Sequence, residues 1–216
     1  SYLFQDILQR WLEYRGHRVL RVLNFTDVED KAVIEAKRRG LTLEDLTRDN
    51  AAIFLREAEN LGIRLPEVIP RSSTSVAQAV ELIRILLDKG YAYRHKGSVF
   101  FDPLQFSGFG KLFGLDLSKW PKERVRFWRD TYPGKRWNLG DFILWHAAKR
   151  GESEAFVWDT PIGQGRPAWN IQDPAMISQH LGYELDICCG GVDNLYRHHD
   201  YNIAVMEAIS GKQLAP

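Results

Sequence analysis

An apolar run from Leu185 to Cys189 ends on Gly190-Gly191, is followed by Asp193, and then opens a helix near His198-His199. A strand that passes through two glycines into a loop and a helix narrows the fold more than any other stretch of these 216 residues. Glycine has no Cβ, so the backbone there can approach a ligand closely, and an acid just beyond is placed to bind ribose hydroxyls. Upstream, Gly165-Arg166-Pro167-Ala168-Trp169 sets a turn pair, Arg166-Pro167, before a helix start packed by Trp169 and Met176. The two blocks together read as strand ends and helix starts around a nucleotide site.

The rest of the chain supports an α/β reading. Leu3, Phe4, Ile7, Leu8, Trp11 and Leu12 recur at helical spacing, with Gly16 as the stop, and Arg18 to Leu23 reads as a strand. Thr42 is placed to cap a helix through about Leu61, ended by Gly62, and Ser75 one through Leu87, ended by Gly90. Tyr91–Arg94 and Ser98–Asp102 flank a hairpin turn at Lys96-Gly97. From there to Pro161 the text changes to a glycine-rich loop and a tryptophan-rich basic stretch. We read residues 1–90 and 162–216 as two parts of one Rossmann-like parallel sheet, interrupted by an insertion at 91–161. Residues 18–23 and 185–189 are expected to share that sheet.

Composition sets the outer bounds. A hydrophobic content of 44% can bury a sizeable core, and a net charge of +1 argues against a generally polybasic protein. No apolar run approaches a membrane span and no charged leader precedes a cleavage site, so the cytoplasm is the expected compartment. The two cysteines, Cys188 and Cys189, are adjacent, which rules out the usual disulfide framework and suits a reducing environment. We read them as small buried residues at a strand end in preference to metal ligands. Lys111–Arg136 has a local net charge of +5 with Trp120, Phe127 and Trp128 interleaved. Such a stretch either tracks phosphates while stacking on bases, or is a solvated face with its tryptophans turned inward.

Four blocks, in order, resemble the catalytic domain of cysteinyl-tRNA synthetases, which are class I aminoacyl-tRNA synthetases. Asn24-Phe25-Thr26-Asp27-Val28-Glu29-Asp30-Lys31 is similar to N-x-T-D-x-D-D-K, and Asp141-Phe142-Ile143-Leu144-Trp145 to D-F-x-L-W. Residues 165–176 are similar to G-R-P-G-W-H-I-E-C-S-A-M, and 186–204 to D-I-H-G-G-G-x-D-L-x-F-P-H-H-E-N-E-I-A. The resemblance implies a ligase that activates an amino acid with ATP and Mg and transfers it to the acceptor end of tRNA, with 91–161 as the connective peptide. It implies an ATP site at Gly190, Gly191, Asp193 and His198, and an amino-acid pocket at Thr26, Trp169, Asn170 and Asp173. Neither the H-I-G-H nor the K-M-S-K-S signature of such enzymes occurs. The chain therefore reads as the middle of a longer enzyme, inactive alone, and its oligomeric state is not legible.

The departures are equally informative. The family holds a zinc ion that selects the cysteine thiolate, using two cysteines, a histidine and a glutamate. Here the second cysteine position is Asp173, the histidine is His198 and the glutamate is Asn202, while Asn170 replaces a further histidine. His198 and Asn202 are four apart, so a helix puts them on one face. A neutral amide is a poor zinc ligand, and a carboxylate in place of thiolate makes a site harder. The zinc site reads as dismantled, which leaves Asp173 free to meet a cationic or hydroxylated group. A paralogous ligase with another acyl substrate or amine acceptor, and a non-catalytic nucleotide- or tRNA-binding module, are the alternatives. Asp27, Glu29 and Asp30 are not read as an acid–base couple; Asp30 is expected to cap the helix that follows.

Overall fold

Helical spacing and stop residues translate directly into the first half of the chain. The structure, a computed structural model, describes residues 2–119, 140–150, 152 and 156–215. Its helices are α1 (Tyr2–Tyr14), α2 (Asp30–Arg39), α3 (Leu43–Asn60), α4 (Val76–Asp88), α5 (Trp169–Leu181) and α6 (Asp200–Ser210). Thr42 caps α3 by accepting from the Asp45 N–H, and Gly62 follows with φ 71°. Ser75 precedes α4 as expected, yet its hydroxyl donates back to the Arg71 carbonyl at 3.0 Å and makes no cap bond. Glu29, rather than Asp30, caps α2: its carboxylate accepts from the Lys31 and Ala32 N–H groups. Asp30 instead faces Arg166 across 2.7 Å.

The regular sheet has four strands in the order β1-β2-β3-β4: Ala92–His95, Ser98–Phe101, Phe142–Ala147 and Gly165–Pro167. The hairpin at Lys96-Gly97 forms as expected, with His95 opposite Ser98. Arg166-Pro167, read as a turn, is the edge strand. All three pairings are antiparallel. Among the described residues, parallel pairing is limited to the bridges Val22–Val68 and Phe25–Arg71. The expectation that residues 18–23 and 185–189 share a sheet is therefore corrected. The first segment pairs with the chain entering α4; the second is largely exposed, and its Leu185 N–H bonds to the Leu214 carbonyl.

The sheet, together with α4, α5 and α6, encloses the main core. Leu82, Ile83, Leu86, Phe101, Leu144, Trp145, Ile171, Ala204 and Val205 are all fully buried there. Phe142 stacks on Tyr201 at 3.9 Å between ring centroids and on Phe101 at 4.7 Å, which ties α6 to the middle of the sheet. Aromatic pairs of this kind add about 0.5–1.5 kcal/mol beyond the area they bury. The basic stretch from Trp120 to Arg136 lies outside the described residues.

Helix α1 reverses the expectation for its faces. The spacing does make a helix, but Asp6 and Gln9 are its buried residues, while Phe4 is 66% and Trp11 53% exposed. The polar side is the one with partners: Gln9 donates to Glu67 at 2.8 Å, and Arg10 reaches the Gly62 carbonyl at 3.2 Å. Periodicity selects the conformation; which face docks is decided by what lies alongside.

Candidate functional site

The amino end of α5, the start of α6 and the extended Asn24 segment meet around one carboxylate. Asp173, one turn into α5, accepts from His198 Nε2 at 2.6 Å and from the Asn24 amide at 3.0 Å. Asn202, four residues beyond His198 and in the first turn of α6, supplies a further side-chain hydrogen bond. Trp169 lies flat on the His198 ring, 4.0 Å away and 9° from parallel. Burial pushes the Asp173 carboxyl up, but the hydrogen bond and charge of His198 with the two amides outweigh it and hold it below the usual carboxylate range. Asp173 is thus an engaged group, which corrects the expectation that it is free.

The glycines pack against the second histidine. A Cβ at Gly190 would overlap the His199 ring, and one at Gly191 would meet the Asp193 carboxylate. His199 Nε2 donates to the Gly191 carbonyl at 3.2 Å, and its ring lies 5.5 Å from that of His198. Burial and then the charge of His198 hold the His199 pKa below its ordinary value. Asp193 sits exposed in the short 3-10 turn Val192–Asn194. The turn from Leu195 to His199 that follows is irregular, with Arg197 at φ 72°. Gly190→Ala is expected to expel the His199 ring and cost about 1–3 kcal/mol of stability, read by urea denaturation.

Not every expected residue joins the cluster. Thr26 is exposed two residues beyond Asn24. The Asn170 amide donates to the Ile143 carbonyl of β3 at 2.9 Å, so it braces α5 against the sheet. Asp27 is a buried clamp, accepting from Ser72 Oγ at 2.9 Å and Ser73 N at 2.8 Å, in line with its exclusion from acid–base work. Cys188 and Cys189 are exposed, not buried, because the strand expected to enclose them does not form. Asn24 opens the Asn24–Lys31 block, and no spacing within that block marks its amide as the group that reaches Asp173.

Zinc requires four donors about 2.0–2.3 Å from a common centre, thiolates and imidazoles foremost. His198 Nε2 and Asp173 Oδ2 are bonded to each other at 2.6 Å, and the other contributors are neutral amides. Among the described residues no group of three or more His, Cys, Asp or Glu could hold a metal ion. This donor set is a poor match to zinc.

A cleft beside Trp169 is lined by Val33, His146, Phe156 and Arg166. Arg166 is buried and spans Asp30 at 2.7 Å and Glu152 at 3.2 Å. Burial, followed by the Arg166 charge, lowers the His146 pKa from 6.5 to about 4. His146 stays neutral in the fold while the unfolded chain takes up a proton, so stability falls as pH drops from about 6.5 to about 4. The loss is expected to reach about 3 kcal/mol, and His146→Phe should flatten that acid limb in urea titrations at pH 7 and pH 4.5.

Residues 1–216 match the family described as tRNA synthetases class I (C) catalytic domain. The chain is 36% identical over 216 residues to a cysteine–tRNA ligase of Cyanothece sp. (strain PCC 7425 / ATCC 29141), covering 100% of this chain and 44% of that protein. It is 39% identical over 214 residues to the cysteine–tRNA ligase of Clostridioides difficile (strain 630), covering 98% and 44%. To that of Thermococcus onnurineus (strain NA1) it is 36% identical over 214 residues, covering 99% and 43%. The chain spans less than half the length of these relatives.

Proposed function

The chain belongs to the class I (C) tRNA synthetase catalytic-domain family, and we propose from that premise that it is part of an ATP-dependent ligase that activates an amino acid and transfers it to tRNA. The reading rests on one observation above all. Within a chain matched along its whole length, Asp173, His198, Asn24 and Asn202 converge under Trp169, next to the Gly190–Asp193 turn.

The chemistry is adenylate formation. An amino-acid carboxylate attacks the α-phosphate of ATP, pyrophosphate leaves, and the acyl group passes to a hydroxyl of the tRNA acceptor end. Such a reaction needs positioning and charge neutralisation rather than a side-chain nucleophile. In our reading the exposed Asp193 carboxylate takes the ribose hydroxyls, and Gly190 and Gly191 let the nucleotide approach. His198 bounds the nucleotide on the amino-acid side, where Trp169 and Asp173 line the pocket, Thr26 stands exposed at its margin and Asn170 braces it from the sheet. Mg accompanies ATP and offsets phosphate charge. We place the insertion, 91–161, beside the acceptor end of tRNA and the protein in the cytoplasm; no helix among the described residues is long and apolar enough to cross a membrane. Without the H-I-G-H and K-M-S-K-S elements, these 216 residues alone are expected to be inactive. We infer further that zinc is not held, since Asp173 and Asn202 replace a thiolate and a carboxylate.

Calorimetry with ATP on the protein carrying its flanking reading frame tests the nucleotide assignment. Asp193→Ala is expected to weaken binding at least about tenfold, the equivalent of one hydrogen bond to a charged group. Equal affinity in both proteins would remove Asp193 from the site.

A further inference from the structure

The cleft beside Trp169 shares only that residue with the Asp173 cluster, and it is roomy. It holds about 90 Å³ of space for water, several times the ~10–15 Å³ that a single molecule needs. Val33, Phe156 and Trp169 give it apolar walls, and Asp30, His146 and Arg166 give it polar ones.

Its charges decide what kind of ligand suits it. Arg166 is the only cation among the described lining residues, and it is already engaged by Asp30 at 2.7 Å and Glu152 at 3.2 Å. Glu29 adds another acid to the lining. A phosphate or carboxylate would therefore find no unpaired positive charge. His146 has no hydrogen-bond partner among the described residues, and burial with the Arg166 charge keeps its ring neutral. A neutral imidazole offers one donor and one acceptor, and the Asp30 carboxylate can accept more than its bond to Arg166. Aromatic walls beside such groups suit a flat, uncharged heterocycle. Unpaired nucleobases are held in this way, stacked on aromatic rings and hydrogen-bonded along their edges.

Trp169 connects the cleft to the chemistry. It lines the cleft and stays 37% exposed, while its ring lies on His198 at 4.0 Å. His146 belongs to the insertion that we place beside the tRNA acceptor end. We propose that the cleft between His146, Phe156, Arg166 and Trp169 takes the unpaired 3′-terminal base of the acceptor strand, bringing the hydroxyl that receives the acyl group to Trp169. The proposal rests on the ligase reading above and names the subsite its transfer step uses. His146 and Asp30 meet the edge of the base, and Phe156 and Trp169 meet its faces.

The test uses the protein carrying its flanking reading frame and an RNA hairpin that ends, like an acceptor stem, in unpaired 3′ nucleotides. Affinity is read by fluorescence anisotropy for this hairpin and for the same hairpin lacking its terminal nucleotide. Removing that nucleotide is expected to weaken binding about 5- to 100-fold, the range for one stacked base. The difference is expected to persist in saturating ATP. His146→Phe, which keeps a ring but no polar edge, is expected to bind both hairpins as wild type binds the shortened one. Equal affinity for the two hairpins, or no binding of either, overturns the proposal. A difference that survives His146→Phe places the base elsewhere, and one abolished by ATP gives the cleft to the base of ATP; both overturn it. ATP–pyrophosphate exchange by the wild type, measured in parallel, tests the ligase reading separately. The expected hairpin pattern without exchange upholds the cleft and counts against that reading.

Discussion

His198→Ala is expected to lower the unfolding free energy by about 3–5 kcal/mol, the typical cost of stranding one member of a buried charged or hydrogen-bonded pair. The stranded group is Asp173, whose side chain is 15% exposed and whose 2.6 Å bond to His198 is its shortest described contact. A second replacement, Asp173→Asn, is expected to recover part of the loss, because a neutral amide in that place has less to lose on burial. The pH dependence carries a sign. The Asp173 pKa is lowered in the fold, so the pair contributes fully above the ordinary carboxylate range, near pH 3.9. That contribution is lost as pH falls through the lowered folded value. The gap between wild type and His198→Ala, measured by urea denaturation, should therefore narrow only in strong acid. A gap unchanged there would mean that packing under Trp169, not the Asp173 charge, is what His198 supplies.

Trp145→Ala is expected to cost a similar 3–5 kcal/mol, for a different reason. Trp145 is fully buried in β3, opposite Val99 of β2 and Pro167 of β4, so truncation empties the centre of the sheet. Its indole N–H has no hydrogen-bond partner among the described residues. Trp145→Phe therefore gives up volume but also discards a stranded donor, and is expected to cost less than half as much as alanine. Thermal and urea unfolding of the two variants checks both numbers; equal losses would show that the indole nitrogen is satisfied in solution. Gly165 belongs to the same arrangement, since a Cβ there would overlap the His146 carbonyl and crowd the Trp145 ring.

Much of the local structure was legible because the physics is local. Thr42, Gly62, Gly90 and the Lys96-Gly97 turn act within a few residues through capping bonds and left-handed backbone, and each stands where the chain text places it. The site was legible in part for the same reason. The spacing of four puts His198 at the end of the irregular turn and Asn202 in the first turn of α6, near enough that both reach Asp173. What lies opposite is a tertiary fact: Asn24 is 149 residues from Asp173 along the chain, and no pattern within either segment announces the bond between them. The competition at the start of α2 was likewise undecidable from spacing, because Glu29 and Asp30 are both acids at a helix start. Arg166 resolves it by pairing with Asp30 across 136 residues.

The sequence by itself determined the family, the helices with their glycine stops, the Thr42 cap and the hairpin. Those properties depend on residue identity and short-range spacing, and both can be read in one dimension. Only the tertiary structure decided that α1 turns its polar face inward, that the regular sheet is antiparallel, and that residues 185–189 stay out of it. Each of these depends on which partner lies within a few ångströms, and a strand or amphipathic helix carries no label for its neighbour. The condition of Asp173 belongs to the same group. A carboxylate in the sequence is a charge of unspecified use; with His198 and two amides around it, it is an acceptor already occupied.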